Sequence, residues 1–306
     1  MVATGSPPRP AAVETAIELT GYHANHHARS LATGRANSLA FLLTEPQHLL
    51  FADPTFSILL RGAAESLARR HMTLVLLVAG TEAERENVTQ FVSGGHVDGV
   101  MLVSSHESEP LLDTLIAAAV PTVACGGVLG RTDDVPSVQV DEIESAKVMT
   151  RHLKDRGYTR IAMITGPPDT PGGRYRLVGF QEELGDLFDP ALVEPGDYTT
   201  ESGSAAMQKL LDRAPDIDAV FAASDLMASG AMQTLRRNGK RVPADVAVAG
   251  FDDSGLAATL EPPLTTMRQP FDKVSDSMVE LLLHVIEGKE PPSIVLPTAL
   301  VVREST

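Results

Sequence analysis

The side chains best equipped for chemistry in this chain are Arg176, near the start of a helix beside a strand end, and the tandem acids Asp252 and Asp253, directly after a buried strand. A guanidinium donates two parallel hydrogen bonds to neighbouring hydroxyls, and a carboxylate accepts hydroxyl protons. That is the chemistry of holding a polar ligand. Arrangements that would convert one fail on spacing. Gly126-Gly127-Val128-Leu129-Gly130 follows an apolar run but lacks the Gly-x-Gly-x-x-Gly spacing of a dinucleotide turn and opens no helix. No P-loop, no nucleophile elbow and no acid pair at a defined spacing occurs. The nine histidines are scattered, and His26-His27 are adjacent rather than four apart, as helical metal ligands would be. The expectation is no enzyme, no metal and no cofactor.

The elements that must position these groups follow from the apolar periodicity. Strands are expected at Ser38–Leu43, Thr73–Val78, Gly99–Val103, Pro121–Ala124 and Val138–Val140, with helices over Thr55–Arg70, Glu82–Ser93 and Pro110–Ala119 between them. The strands are near-continuous apolar runs, as parallel strands covered on both faces should be. The pattern then repeats. Helices over Ile143–Arg156, Tyr175–Leu184, Ser202–Asp212 and Leu226–Arg237 alternate with strands at Ile161–Thr165, Leu192–Pro195, Ala219–Ala222 and Val246–Gly250. After Thr265–Met267, a long helix over Phe271–Glu287 and strands at Ile294–Leu296 and Leu300–Arg303 imply that the chain crosses back. The class is α/β, with two similar Rossmann-like parallel-sheet subdomains and a ligand cleft between them.

Composition sets the surroundings. Its 306 residues suffice for two domains, and no apolar run is long enough to span a membrane. The start lacks a basic stretch followed by an apolar core, and the single cysteine, Cys125, permits no internal disulfide. Both favour the cytoplasm. The net charge is −15, yet residues 1–36 carry +1, so any DNA contact is expected in that N-terminal segment alone.

The segment Ala28-Arg29-Ser30-Leu31-Ala32-Thr33-Gly34 resembles the hinge helix of LacI/GalR transcription factors. Six stretches downstream, in the same order, resemble the family's sensor body. They are Asp53-Pro54-Thr55-Phe56, Gly95-His96-Val97-Asp98-Gly99-Val100, Gly166 through Phe180, Ser224 through Ala231, Val248-Ala249-Gly250-Phe251-Asp252-Asp253, and Pro262 through Phe271. The resemblance implies a periplasmic-binding-protein-like type I fold with a remnant N-terminal helix and a hinge helix. It implies residues 1–36 as remnant of the DNA-binding head and hinge, 37–141 plus 270–294 as the N-terminal effector subdomain, and 142–269 plus 295–306 as the C-terminal one. Pro10–Thr20 is similar to the third helix of the head, which leaves the helix-turn-helix truncated.

The same resemblance implies roles. In the hinge, Ala28 and Leu31 are placed as a minor-groove wedge, with Arg29 toward phosphates. In the cleft, Arg176 matches a forked contact to a sugar, and Arg176→Ala should abolish binding with the fold intact. Tyr198 stands where an aromatic stacks on the sugar, and Phe56 where one floors the cleft; packing is the alternative for both. Ser224 replaces the Asn or Asp usual at its position. Asp252 accepts hydroxyl protons or serves as a cap, and Asp253 is an equal candidate. Gln269 lies on a crossover strand. The loop Thr44–Asp53, carrying Glu45, His48 and Phe51, is long for the family and suits a disaccharide or oligosaccharide. The implied function is a sugar-responsive, homodimeric repressor whose effector domain allosterically controls binding to operator DNA, with no membrane partner. The alternative is the solute-binding protein of a sugar transporter, which would begin with a secretion signal and need no hinge.

Overall fold

A computed structural model describes Leu19, residues 35–131 and residues 134–306. The chain divides into two units, Met1–Asn37 and Ser38–Thr306. The hinge residues Ala28, Arg29 and Leu31 lie outside the described residues.

The second unit holds two sheets built by the same logic. In the first, β1 (Ser38–Leu43), β2 (Thr73–Val78), β3 (Gly99–Val103), β4 (Thr122–Cys125), β5 (Ser137–Val140) and β11 (Ile294–Leu296) are all parallel, in the order β11-β5-β4-β3-β1-β2. Helices α1 (Gln47–Ala52), α2 (Pro54–Ala68), α3 (Glu82–Ser93), α4 (Pro110–Ala117) and α9 (Phe271–Ile286) belong with it. The second sheet runs β12-β10-β9-β8-β6-β7, from β6 (Ile161–Thr165), β7 (Val193–Pro195), β8 (Ala219–Ala222), β9 (Ala247–Asp252), β10 (Thr265–Arg268) and β12 (Ala299–Val301). Only β12 is antiparallel among the described strands of that sheet. Its helices are α5 (Glu142–Asp155), α6 (Pro171–Leu184), α7 (Thr200–Arg213) and α8 (Asp225–Arg237).

Strands β1 and β3 are buried along their full length, which explains their unbroken apolar sequences. The chain passes between sheets three times: at Val140–Glu142, after Arg268, and after Leu296. The expected final boundary at 294/295 shifts to beyond Leu296, because Ile294, Val295 and Leu296 all pair with β5.

Two elements depart from the periodicity. Thr44–Asp53 contains α1, a six-residue helix with one buried residue, Leu50, too short for an apolar stripe to register. Helix α6 begins four residues earlier than expected, at Pro171. Thr170 caps it through the Gly173 amide, and proline at the first position is already in helical geometry. The Pro-Gly-Gly run reads as a loop, but Gly173 answers to contact: a Cβ there would lie 2.0 Å from the Pro167 carbonyl oxygen.

Candidate functional site

Strand ends and helix N-termini of both sheets line one cleft of about 860 Å³. All six cleft residues expected from the sequence lie on its wall: Phe56, Arg176, Tyr198, Ser224, Asp252 and Gln269. The volume is near the upper end of the ~300–1,000 Å³ usual for small-molecule pockets.

Arg176 is buried on α6, and its surroundings differ from the expectation of a fork open to ligand. Its Nε and Nη2 donate to the two oxygens of Glu142, at 2.7 and 3.1 Å. Its Nη1 donates to the Ala223 carbonyl at 2.5 Å and lies 4.0 Å from Asp252. Its Cζ sits 3.6 Å above the centre of the Phe251 ring. Three of the five N–H groups are thus committed within the protein, and the remaining ones are the donors on offer. Burial disfavours the charge, but Glu142, Tyr198 and Asp252 together outweigh it and hold the guanidinium firmly protonated. The partnership depends on close helix packing. A Cβ at Gly179 would meet the Ile143 carbonyl oxygen at 2.3 Å, so glycine lets α6 approach α5 where Glu142 opens it.

The tandem acids separate cleanly. Asp253 accepts from Arg268 at 2.6 Å and Arg303 at 2.7 Å, away from the cleft. Asp252 lines the cleft and accepts from Gln269 Nε2 at 2.8 Å. Burial raises its pKa well above the usual carboxylate value. The charges of Asp225 and Asp53 add to that rise, while Arg176 opposes it. Asp225, behind it, is pushed up to about 7 by burial, although the Thr266 hydroxyl donates to it at 2.6 Å.

Tyr198 adopts a positive φ of 68°, and its hydroxyl shares a 3.1 Å hydrogen bond with Thr170. Burial pushes its phenol up to about 12, so it stays protonated. Gly166 and Gly172 make room for the ring: a Cβ at Gly166 would lie 2.2 Å from Tyr198 Cζ. Phe56 is half-buried and both packs on the first core and lines the cleft. Ser224 caps α8, accepting the Met227 amide at 3.2 Å. Cys125 is a cleft-wall residue, half-buried, its thiol pushed up to about 12 by burial.

Sequence reasoning gave no role to two acids on this wall, Glu142 and Asp53, and placed Glu45 only as part of a long loop. Glu142 lies just before the helix expected at Ile143; the structure makes it the first residue of α5, and only the packing of α5 on α6 gives it to Arg176. Asp53 caps α2 through the Thr55 amide and hydroxyl, and burial raises its pKa. Glu45 joins His106 and Asp169 at the rim: His106 Nε2 lies 2.8 Å from Glu45 and Nδ1 2.9 Å from Asp169. No group of metal-ligating side chains occurs among the described residues.

A model of the periplasmic binding protein-like domain matches residues 150–306. The chain is 43% identical over 306 residues to the HTH-type transcriptional regulator CelR of Thermobifida fusca, covering 98% of this chain and 90% of the relative. It is 30% identical over 303 residues to the HTH-type transcriptional repressor CytR of Escherichia coli, covering 96% and 86%. A solved transcriptional regulator CelR–cellobiose complex superposes with a TM-score of 0.86 at 41% identity, covering 98% of this chain and 92% of that one.

Proposed function

This chain belongs to the LacI family of transcriptional regulators, and on that premise we propose that its cleft binds a neutral saccharide, of the size of cellobiose, whose occupancy controls operator DNA binding by a homodimer. The observation that carries the ligand class is the balance of donors and acceptors. Asp53, Glu142 and Asp252 face the cleft with Glu45, Asp197 and Glu201, while the buried arginine is already matched by Glu142. Glu142 is taken up by Arg176, but Asp53 and Asp252 each accept protein donors at one oxygen, Oδ1, and a hydroxyl-rich molecule supplies donors to the other. An anionic sugar meets these carboxylates as like charges, and two such charges about 4 Å apart repel by about 4 kcal/mol at an effective dielectric of 20.

In this reading Arg176 and Asp252 take ligand hydroxyls, Gln269 orients Asp252, Tyr198 and Phe56 cover the C–H faces of the sugar rings, and Ser224 supplies a hydroxyl at the α8 N-terminus. Ala28, Arg29 and Leu31 are assigned to DNA. The site is one of recognition, not of catalysis, and the protein acts in the cytoplasm. No helix among the described residues is long and apolar enough to cross a membrane.

Titration calorimetry with cellobiose and with its aldonic acid, cellobionate, tests the proposal. Cellobiose should bind, and cellobionate at least tenfold more weakly. Binding of neither, or preference for the acid, would overturn it.

A further inference from the structure

The rim of the cleft carries a side-chain bridge between the two subdomains. His106 follows β3 in the first subdomain, and its two ring nitrogens reach carboxylates on opposite sides. Glu45, 2.8 Å from Nε2, belongs to the first subdomain, in the loop after β1. Asp169, 2.9 Å from Nδ1, belongs to the second, in the loop after β6. Glu45 is held from behind by the Ser104 hydroxyl at 2.5 Å, which aims it at the imidazole.

Two further contacts cross at the same place. The Glu107 amide donates to the Asp169 carbonyl at 2.7 Å. The Glu107 carboxylate takes a two-pronged bond from Arg174, at 3.1 and 2.6 Å. The loop after β3 is thus tied to the start of α6 by an ion pair, a backbone bond and an imidazole set between two acids. We propose that His106 is a positioning residue that holds the two subdomains closed over the effector, so that effector affinity depends on its proton. The proposal rests on the reading of the cleft as a saccharide site.

An imidazole between two carboxylates bonds both only when both nitrogens carry protons. The charged and titratable groups around it are Glu45, with Asp53 beyond, and Asp169, Glu107 and Arg174. The acids prevail: the Glu45 hydrogen bond, with help from Asp169, raises His106 to about 9 despite partial burial. Opening the cleft removes Asp169 and leaves Glu45, so the open form holds the proton less tightly. Closure is therefore fully supported below the open-form pKa. That support is lost as pH rises through about 9.

Two measurements on the full chain decide it. In the first, the imidazole of His106 is titrated by NMR without sugar, in the wild type and in Asp169→Asn. A value near 9 that falls in the variant is expected; a value near 6.5 in the wild type, or no change in the variant, would overturn the bridge. In the second, cellobiose affinity is followed by calorimetry from pH 7.5 to 9.5. The wild type should lose about fivefold, while His106→Ala and Asp169→Asn should be about fivefold weaker at pH 7.5 and flat thereafter. Glu107→Gln, which cuts the ion pair but keeps the imidazole, should weaken binding equally at every pH. A wild-type profile that His106→Ala leaves unchanged would overturn the role in closure. Absence of any cellobiose binding would instead count against the saccharide reading, and the NMR arm would still decide the bridge.

Discussion

Replacing Arg176 by alanine should damage the fold as well as the site. The guanidinium is buried, and Glu142, its two-pronged partner, has a side chain only 15% exposed. Removing the cation strands that carboxylate with no compensating charge, and the nearby Asp252 loses its opposing charge too. Breaking a buried pair by deleting one partner costs about 3–5 kcal/mol. The Ala223 carbonyl also loses its 2.5 Å donor, and the contact over the Phe251 ring disappears. Against a typical total stability of about 5–15 kcal/mol, that is a large fraction. Urea unfolding followed by circular dichroism measures it. The expected loss in Arg176→Ala is about 3–5 kcal/mol, with Glu142→Ala/Arg176→Ala losing clearly less than the sum of the single changes. Arg176→Lys keeps a charge but not the fork, so it should stay folded and bind cellobiose at least tenfold more weakly. An Arg176→Ala protein within about 0.5 kcal/mol of wild type would refute the reasoning, because a surface substitution behaves that way and a broken buried pair does not.

Asp225 makes a pH signature. Its folded pKa, about 7, lies above the ordinary carboxylate value, so its contribution to stability is present at low pH and is lost as pH rises through about 7. The melting temperature should fall between pH 5 and pH 8 in the wild type and fall less steeply in Asp225→Asn; parallel profiles would argue against it. Gly166→Ala places a methyl where Tyr198 Cζ now sits, so the ring must move. Calorimetry should show at least a tenfold loss of cellobiose affinity; unchanged affinity would remove Tyr198 from the ligand wall.

How much of this was legible in the sequence depended on the range of the interaction. Strands such as Ser38–Leu43 and Ile161–Thr165 were readable because burial on both faces forces an uninterrupted apolar run. The six cleft positions came from the resemblance to the LacI/GalR sensor body, whose ordered motifs place them at strand ends and helix starts, and all six line the cleft. The choice between Asp252 and Asp253 was not legible. It turns on Arg268 and Arg303, which are 15 and 50 residues from Asp253. Glu142 was hidden the same way: its local role, an acid in a first helical turn, is complete without Arg176, 34 residues on. Helix α1 was invisible because six residues make too few turns to show a stripe.

The division of labour across the cleft bears on how a ligand signals. A ligand shifts a conformational equilibrium only by its difference in affinity for the two states. Arg176, Tyr198, Ser224 and Asp252 all belong to the second sheet, and a sugar bound to them alone would gain little from closure. Phe56 stands on α2 of the first sheet with Asp53 as that helix's cap, and Glu45 lies on the loop before it. Asp53 and Asp252 raise each other's energy when both are charged, so bringing the two walls together costs free energy unless something donates to both. A hydroxyl-rich molecule long enough to touch both walls does that, and its donors are satisfied only in the closed form. Responsiveness then tracks span and neutrality together: a short sugar reaches one wall, and an anionic one restores the repulsion that closure must overcome.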